Sequence, residues 1–180
     1  IVFGREEQMI QAGAVAMLKE RGQTVVTAES CTGGLVGKML TDVSGSSEVY
    51  QGGWVTYTNE MKTRMLGVDA SAIDTHGAVS KPIAEAMALG ALQHSHADYS
   101  LAITGIAGPT GGTPHKPVGT VWIALGRRNG DSPAADALCH HFGGDRDTIR
   151  DRSAKTAIQM LRLHLLHAPY DVIEWQRQKK

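Results

Sequence analysis

The stretch Thr24-Val25-Val26-Thr27-Ala28-Glu29-Ser30-Cys31-Thr32-Gly33-Gly34, followed by Leu35, Val36, Met39 and Leu40 at helical spacing, constrains the fold more than any other part of the chain. An apolar extended run stops at a small hydroxyl, two glycines turn the backbone, and an amphipathic helix begins. A strand, a tight turn and a helix in this order are what α/β proteins are built from. The same turn sets the Ser30 hydroxyl and several unpaired backbone N–H groups at a helix N-terminus. Anions bind at such places, and nucleophilic serines are often displayed on strand-to-helix turns. A plainer reading fits this stretch better when it is taken alone: Ser30 or Thr32 caps the helix, and the glycines serve only the turn. From this stretch alone both readings stand.

The rest of the chain continues the alternation. Glu6 to Arg21 reads as a helix with Met9, Ile10, Ala14, Met17 and Leu18 on one face, closed by Gly22. Thr24–Thr27 is a buried strand, Gly33–Val43 a helix, Val49–Tyr57 a strand and Asn59–Leu66 a short helix. Ser80 is placed to cap a long helix with Pro82 in its first turn. Tyr99–Ile103, Val118–Leu125 and Ala137–Phe142 read as strands, and Arg146–Leu166 as the last helix. Only a glycine-rich loop joins Tyr99–Ile103 to Thr120–Leu125, so those two strands are expected side by side and antiparallel. The prediction is a three-layer α/β/α sandwich around a mixed, mostly parallel sheet. Residues 1–168 form one domain in this reading, and 169–180 a flexible tail.

Charge and cysteine content narrow the class. The formal net charge of the 180 residues is zero, which argues against nucleic acid or an anionic membrane as the main partner. No apolar run is long enough to span a bilayer. Cys31 and Cys139 are far apart and suggest no disulfide framework. With no secretory leader read in the sequence, a reducing cytoplasm is the expected compartment. A homodimer is expected from the habits of soluble enzymes.

Three further stretches could carry chemistry. In Gly52-Gly53-Trp54-Val55-Thr56-Tyr57-Thr58-Asn59-Glu60-Met61-Lys62 a strand gives way to a helical turn that Thr58 can cap. Lys62 then lies either at a site or, like most lysines, in solvent. Thr104-Gly105-Ile106-Ala107-Gly108-Pro109-Thr110-Gly111-Gly112-Thr113-Pro114-His115-Lys116-Pro117-Val118-Gly119 is neither a Walker loop nor a dinucleotide fingerprint. It is a long hairpin connection or a functional loop level with Ser30. In Gly143-Gly144-Asp145-Arg146-Asp147-Thr148-Ile149-Arg150, Asp145 can cap the last helix. Arg146 and Arg150 stand one turn apart, suited to an anion or to an Asp–Arg ladder. His94 with His96, and His140 with His141, point in different directions and make poor metal pairs. No metal is expected. Cys31 could rival Ser30 as a nucleophile or be a small buried residue. Trp54 and Trp122 could serve an interface or the core.

These stretches, together with His76-Gly77-Ala78-Val79-Ser80, resemble in order the CinA C-terminal domain family, whose stand-alone members include nicotinamide mononucleotide deamidases. The resemblance runs from about Gln8 to Leu166. Larger CinA proteins add an N-terminal domain, so this chain resembles the short, single-domain form. The resemblance implies hydrolysis of the carboxamide of nicotinamide mononucleotide to nicotinic acid mononucleotide and ammonia, with pyridine nucleotide salvage as the context. It implies Ser30 as nucleophile, Lys62 as general base, and Tyr57, Thr104 and Arg146 as pocket residues. Thr32, Gly33, Gly34 and Gly105 complete the expected substrate-binding set, the N–H groups from Cys31 to Gly34 facing the oxyanion. Arg146 would either depress the Lys62 pKa or hold the substrate phosphate, which could alternatively lie on the Gly105–Gly112 loop. The expected partner is a small nucleotide, with no cofactor. Two competing readings are a non-catalytic, partner-binding CinA-like domain and a hydrolase of another small amide.

Overall fold

One five-stranded sheet, ordered β2-β1-β3-β4-β5, organises the computed structural model, which describes residues 9–130 and 132–169. Its strands are β1 (Val25–Glu29), β2 (Tyr50–Val55), β3 (Tyr99–Gly105), β4 (Thr120–Asn129) and β5 (Ser132–His141). β1 pairs in parallel with both β2 and β3, while β4 runs antiparallel to β3 and to β5. Only β4 therefore opposes the common direction, so the sheet is mixed and mostly parallel as expected. Burial follows position. β1 is buried at every residue, whereas the edge strands β2 and β5 alternate in exposure along much of their length.

Successive side chains of a strand point to opposite faces, and the sheet separates two cores. On one face Val25, Leu101, Ile103, Ile123 and Leu125 meet helices α1 (Ile10–Arg21), α2 (Leu35–Thr41) and α6 (Arg146–Leu165) through Leu18, Leu40, Ile158 and Leu161. On the other, Val26, Ala28, Ala102 and Ala124 lie under α5 (Lys81–Gln93) through Ile83, Ala84, Met87 and Ala88. Two shorter helices, α3 (Asn59–Leu66) and α4 (Ala70–His76), close that side. Alanines on both partners let α5 sit close enough for the Ser100 hydroxyl to donate to the Ala88 carbonyl at 2.8 Å. Trp54 and Trp122 are half-buried against this second core.

Several boundaries differ from the sequence reading. Gly22 does close α1 in the left-handed conformation, and the expected residues 6–8 of that helix fall outside the described part of the chain. The tail from 170 also falls outside it. The helix α4 was not anticipated. Ser80 precedes α5, but its hydroxyl donates to the Gly77 carbonyl at 2.8 Å and caps nothing. β5 begins five residues earlier than expected, at Ser132, because it pairs with the full length of β4. Its Pro133 is tolerable only because β5 is an edge strand.

The topology fixes where a site can form. α2 carries the chain from β1 to β2 along one face, and α5 returns it to β3 along the other. Connections leave β1 and β2 on opposite faces, and ligands bind in the crevice this opens at the carboxyl ends of the strands. Glu29 stands in register with Val55 and Ile103, so the loops after β1, β2 and β3 emerge together.

Candidate active site

The Ser30 turn is held from below by the residue before it. Glu29 is 1% exposed, and its carboxylate accepts the N–H groups of Gly34 (3.0 Å), Val36 (3.1 Å) and Gly37 (2.9 Å). The first turn of α2 is thus satisfied by Glu29, and neither Ser30 nor Thr32 caps it. The turn reaches this geometry through Gly33 and Gly34, at φ of 63° and 95°, a region that side-chain-bearing residues rarely occupy. The Ser30 N–H donates to the Ile103 carbonyl at 2.9 Å, which ties the turn to β3. The Ser30 hydroxyl is left free for another partner.

That partner is Lys62. Thr58 caps α3, its hydroxyl accepting from Met61 N–H at 3.2 Å, as the sequence suggested. The fourth residue of the helix is then turned inward, and Lys62 is 1% exposed. Its Nζ lies 3.1 Å from Ser30 Oγ and donates to the Thr56 carbonyl at 2.9 Å. Among the described residues no carboxylate forms an ion pair with it. Desolvation of the buried ammonium is the main influence on this amine and lowers its pKa from 10.5; the neighbouring Cys31 opposes the shift. Burial rather than Arg146 does the lowering.

Ser30 and Lys62 open on a cleft of about 230 Å³, which Tyr57, Thr104, Gly105 and Arg146 also line. The buried Thr104 hydroxyl donates to the Ala78 carbonyl at 2.9 Å and fastens the end of β3 to the loop before α5. Lys116, in the long loop after β3, reaches the His76 carbonyl at 3.1 Å and fastens that loop to the same place. Arg146 donates to the Gly108 carbonyl at 2.7 Å and to the Tyr57 hydroxyl at 2.9 Å; both side chains are exposed. Asp145 caps α6 by accepting from Thr148 N–H at 2.9 Å.

Other expected residues lie differently. Thr32, Gly33 and Gly34 do not line the cleft. The Gly33 N–H is spent on the Ser30 carbonyl at 3.1 Å and that of Gly34 on Glu29. Of the N–H groups offered to an oxyanion, those of Cys31 and Thr32 alone donate to no other residue among the described ones. The positive end of α2 faces the Glu29 carboxylate, not the cleft. Cys31 is buried, and desolvation pushes its thiol up to about 12, so it carries little thiolate at neutral pH. The His94 ring donates from Nδ1 to the Gly90 carbonyl at 2.8 Å. No cluster of three or more His, Cys, Asp or Glu able to hold a metal occurs among the described residues. Nor does any helix among them have the length and apolarity to cross a membrane. A wider hollow of about 320 Å³ between α3 and α4, lined by Glu60, Arg64 and Asp74, has neither a hydroxyl paired to a base nor a buried amine.

Sequence reasoning missed Asn59, Ala78, Val79 and Ala107 in the cleft wall. Asn59 was open to discovery, since it sits three residues before Lys62 on the same helix and shares its face.

A sequence model of the CinA C-terminal domain matches residues 7–165. The chain belongs to the CinA C-terminal domain family. A Symbiobacterium thermophilum protein named for competence damage is 51% identical over 172 residues, which cover 92% of this chain and 40% of that protein. The chain thus spans well under half of that relative. Nicotinamide-nucleotide amidohydrolase PncC of Escherichia coli strain K12 is 49% identical over 144 residues, covering 80% of this chain and 86% of that protein. A crystal structure of a CinA superfamily protein from Klebsiella pneumoniae superposes with a TM-score of 0.83 at 33% identity, over 88% of this chain and 96% of the other. The α/β sandwich is therefore the family fold.

One CinA-domain residue remains to be placed. Arg150 donates from Nε to the Cys31 carbonyl at 3.2 Å and from Nη2 to the Thr32 carbonyl at 2.9 Å. Its Nη1 stands 3.7 Å from the exposed Asp147 carboxylate. The two arginines that the sequence paired thus face different things.

Proposed function

We propose that this chain is an amidohydrolase that converts nicotinamide mononucleotide to nicotinic acid mononucleotide and ammonia through an acyl-enzyme on Ser30. One observation carries the reading. A lysine amine, buried and with no carboxylate partner among the described residues, stands 3.1 Å from a serine hydroxyl at the floor of a cleft. A buried ammonium without a counter-ion is costly, and the cost falls when the amine is neutral. A neutral amine is a general base, and one that touches a hydroxyl activates a nucleophile.

The chemistry follows. Lys62 takes the Ser30 proton as Oγ bonds to the carboxamide carbon. The N–H groups of Cys31 and Thr32 stabilise the resulting oxyanion. The C–N bond breaks, Lys62 returns its proton to the departing nitrogen, and ammonia leaves. Lys62 then takes a proton from water, which attacks the ester; the C–Oγ bond breaks, Lys62 returns the proton to Ser30 Oγ, and the acid leaves. Apart from the Thr32 N–H, which lies in the turn just behind the cleft wall, each step needs only groups lining the cleft.

Substrate size fits the geometry. Pockets that enclose drug-sized ligands hold roughly 300 Å³ or more. A cleft of about 230 Å³ suits a pyridine carboxamide and leaves the phosphoribosyl group at the mouth. Arg146 lies at that mouth with donors beyond the two it has committed, suited to a phosphate. The name of the Escherichia coli relative supports this choice of amide. The reaction returns pyridine nucleotide towards dinucleotide synthesis in the cytoplasm.

The test is ammonia release from nicotinamide mononucleotide, nicotinamide riboside, nicotinamide, glutamine and asparagine. The mononucleotide is expected to turn over best, with Ser30→Ala and Lys62→Ala inactive. Equal rates on the mononucleotide and the riboside would contradict the phosphate assignment. No ammonia from any amide would contradict the enzyme itself.

A further inference from the structure

We infer that Arg150 is a positioning residue for the nucleophile turn: by gripping two successive carbonyls it aims the turn's free N–H groups at the place where the oxyanion forms. The inference rests on the Ser30–Lys62 reading above. It starts from the way the guanidinium is used. Nε and Nη2 form one edge of a planar fork, and here that edge spans the carbonyls of Cys31 and Thr32 at 3.2 and 2.9 Å. The third nitrogen faces Asp147. Both bonded nitrogens of Arg150 thus hold backbone of the nucleophile turn and the third has an ion-pair neighbour, whereas Arg146 stands exposed at the cleft. Arg150 is also absent from the cleft wall. It is built to hold protein, not ligand.

Peptide planarity converts that grip into a direction. In a trans peptide the N–H points opposite to the C=O of the same unit. Holding the Cys31 carbonyl therefore fixes the Thr32 N–H on the side away from Arg150. Holding the Thr32 carbonyl fixes the Gly33 N–H, which in turn donates to the Ser30 carbonyl at 3.1 Å. The Ser30 carbonyl belongs to the same peptide as the Cys31 N–H, so that group is aimed as well. The Cys31 and Thr32 N–H groups, which donate to no other residue among the described ones, are both among those whose directions this chain of contacts sets.

Two features show that the grip is specific. A Cβ on Gly33 would lie 3.6 Å from Arg150 Nη2, so the guanidinium sits directly against a turn of bare backbone. Glu29 holds the other side of the same turn through three N–H groups. The turn is clamped from α6 through its carbonyls and from β1 through its amides. A lysine has the charge of Arg150 but not the fork, and can satisfy one carbonyl at most.

The test is steady-state kinetics of ammonia release from nicotinamide mononucleotide by Arg150→Lys and Arg150→Met, with melting curves of each. Losing one preorganised oxyanion donor costs about 100-fold or more in kcat. Arg150→Met is expected to lose about 100-fold in kcat and Arg150→Lys about 10-fold, since a 1 Å misplacement alone can cost about 100-fold. KM is expected to stay within about threefold in both, because the residue does not touch substrate. A tenfold rise in KM at unchanged kcat would overturn the inference and make Arg150 a phosphate ligand. Wild-type kinetics in both variants would overturn it too. Should Arg150→Met fail to fold, Arg150→Lys keeps the charge and decides the matter by the same two constants. Ser30→Ala, assayed beside them, separates the layers: if it turns over normally, the nucleophile reading fails, whereas if it is dead while both Arg150 variants are fully active, only the present inference fails.

Discussion

Replacing Lys62 with Met removes the amine and keeps an apolar, unbranched stem of nearly the same reach, and its consequences can be worked from the contacts. Two things are lost: a proton acceptor for Ser30 and a donor to the Thr56 carbonyl. A positioned general base contributes about 100- to 10,000-fold to rate. Lys62→Met is therefore expected to lose at least about 100-fold in kcat/KM for ammonia release. Stability moves in two directions. An unpaired buried carbonyl costs about 1–3 kcal/mol. Against this, the lowered pKa means that the folded state strains against a proton that the unfolded chain binds up to pH 10.5. Each unit of that lowering is worth about 1.4 kcal/mol. The unfolded state binds more protons between the folded pKa and 10.5, so wild-type stability rises with pH through that window and levels above it. The Met variant lacks that rise. Near neutral pH the two terms oppose each other, and its melting temperature is expected within about 5 °C of wild type, at roughly 2–4 °C per kcal/mol for a chain of this size. Wild-type kcat/KM should climb with pH to a plateau whose midpoint lies below 10.5. A Lys62→Met enzyme within tenfold of wild type, or a wild-type rate that does not climb from neutral to alkaline pH, would refute the reasoning.

Three other outcomes follow from the same contacts. Cys31→Ala is expected to keep kcat within about threefold, and iodoacetamide at pH 8 to leave wild type active, because a thiol pushed up to about 12 carries almost no thiolate there. Arg146→Ala should raise KM for the mononucleotide at least about tenfold, with a smaller effect on kcat, as loss of a charged phosphate donor at the cleft mouth requires. Glu29→Gln puts an amide NH₂ against backbone N–H groups that now donate to carboxylate oxygens, and is expected to cost about 1–3 kcal/mol in a denaturant melt.

The elements that could be read from sequence were those marked by strong local chemistry. Gly22 closes α1, Thr58 and Asp145 cap α3 and α6, and the helix from Asn59 to Leu66 was read to the residue. The missed elements carry weaker marks. α4 is short and polar, and the start of β5 combines a proline with alternating exposure, so its pairing with β4 decides it. At the site, Ser30, Lys62, Tyr57, Thr104, Gly105 and Arg146 do share one cleft. Local motifs could not say who caps α2. A strand-end carboxylate reaching forward to Gly34, Val36 and Gly37 leaves no local signature, because glutamate at that position is neither an N-cap residue nor part of a capping box. Nor could spacing tell Arg146 from Arg150, since one helical turn separates an exposed side chain from one bonded to residues 118 and 119 positions earlier in the chain.

The account turns on a covalent bond to one oxygen. Acid-quenched turnover of nicotinamide mononucleotide, followed by peptide mass spectrometry, should find the nicotinate mononucleotide acyl group on the peptide from Ala28 to Gly34, esterified at Ser30, and none in Ser30→Ala. An acyl group on Cys31, or undiminished ammonia release by Ser30→Ala, would contradict it.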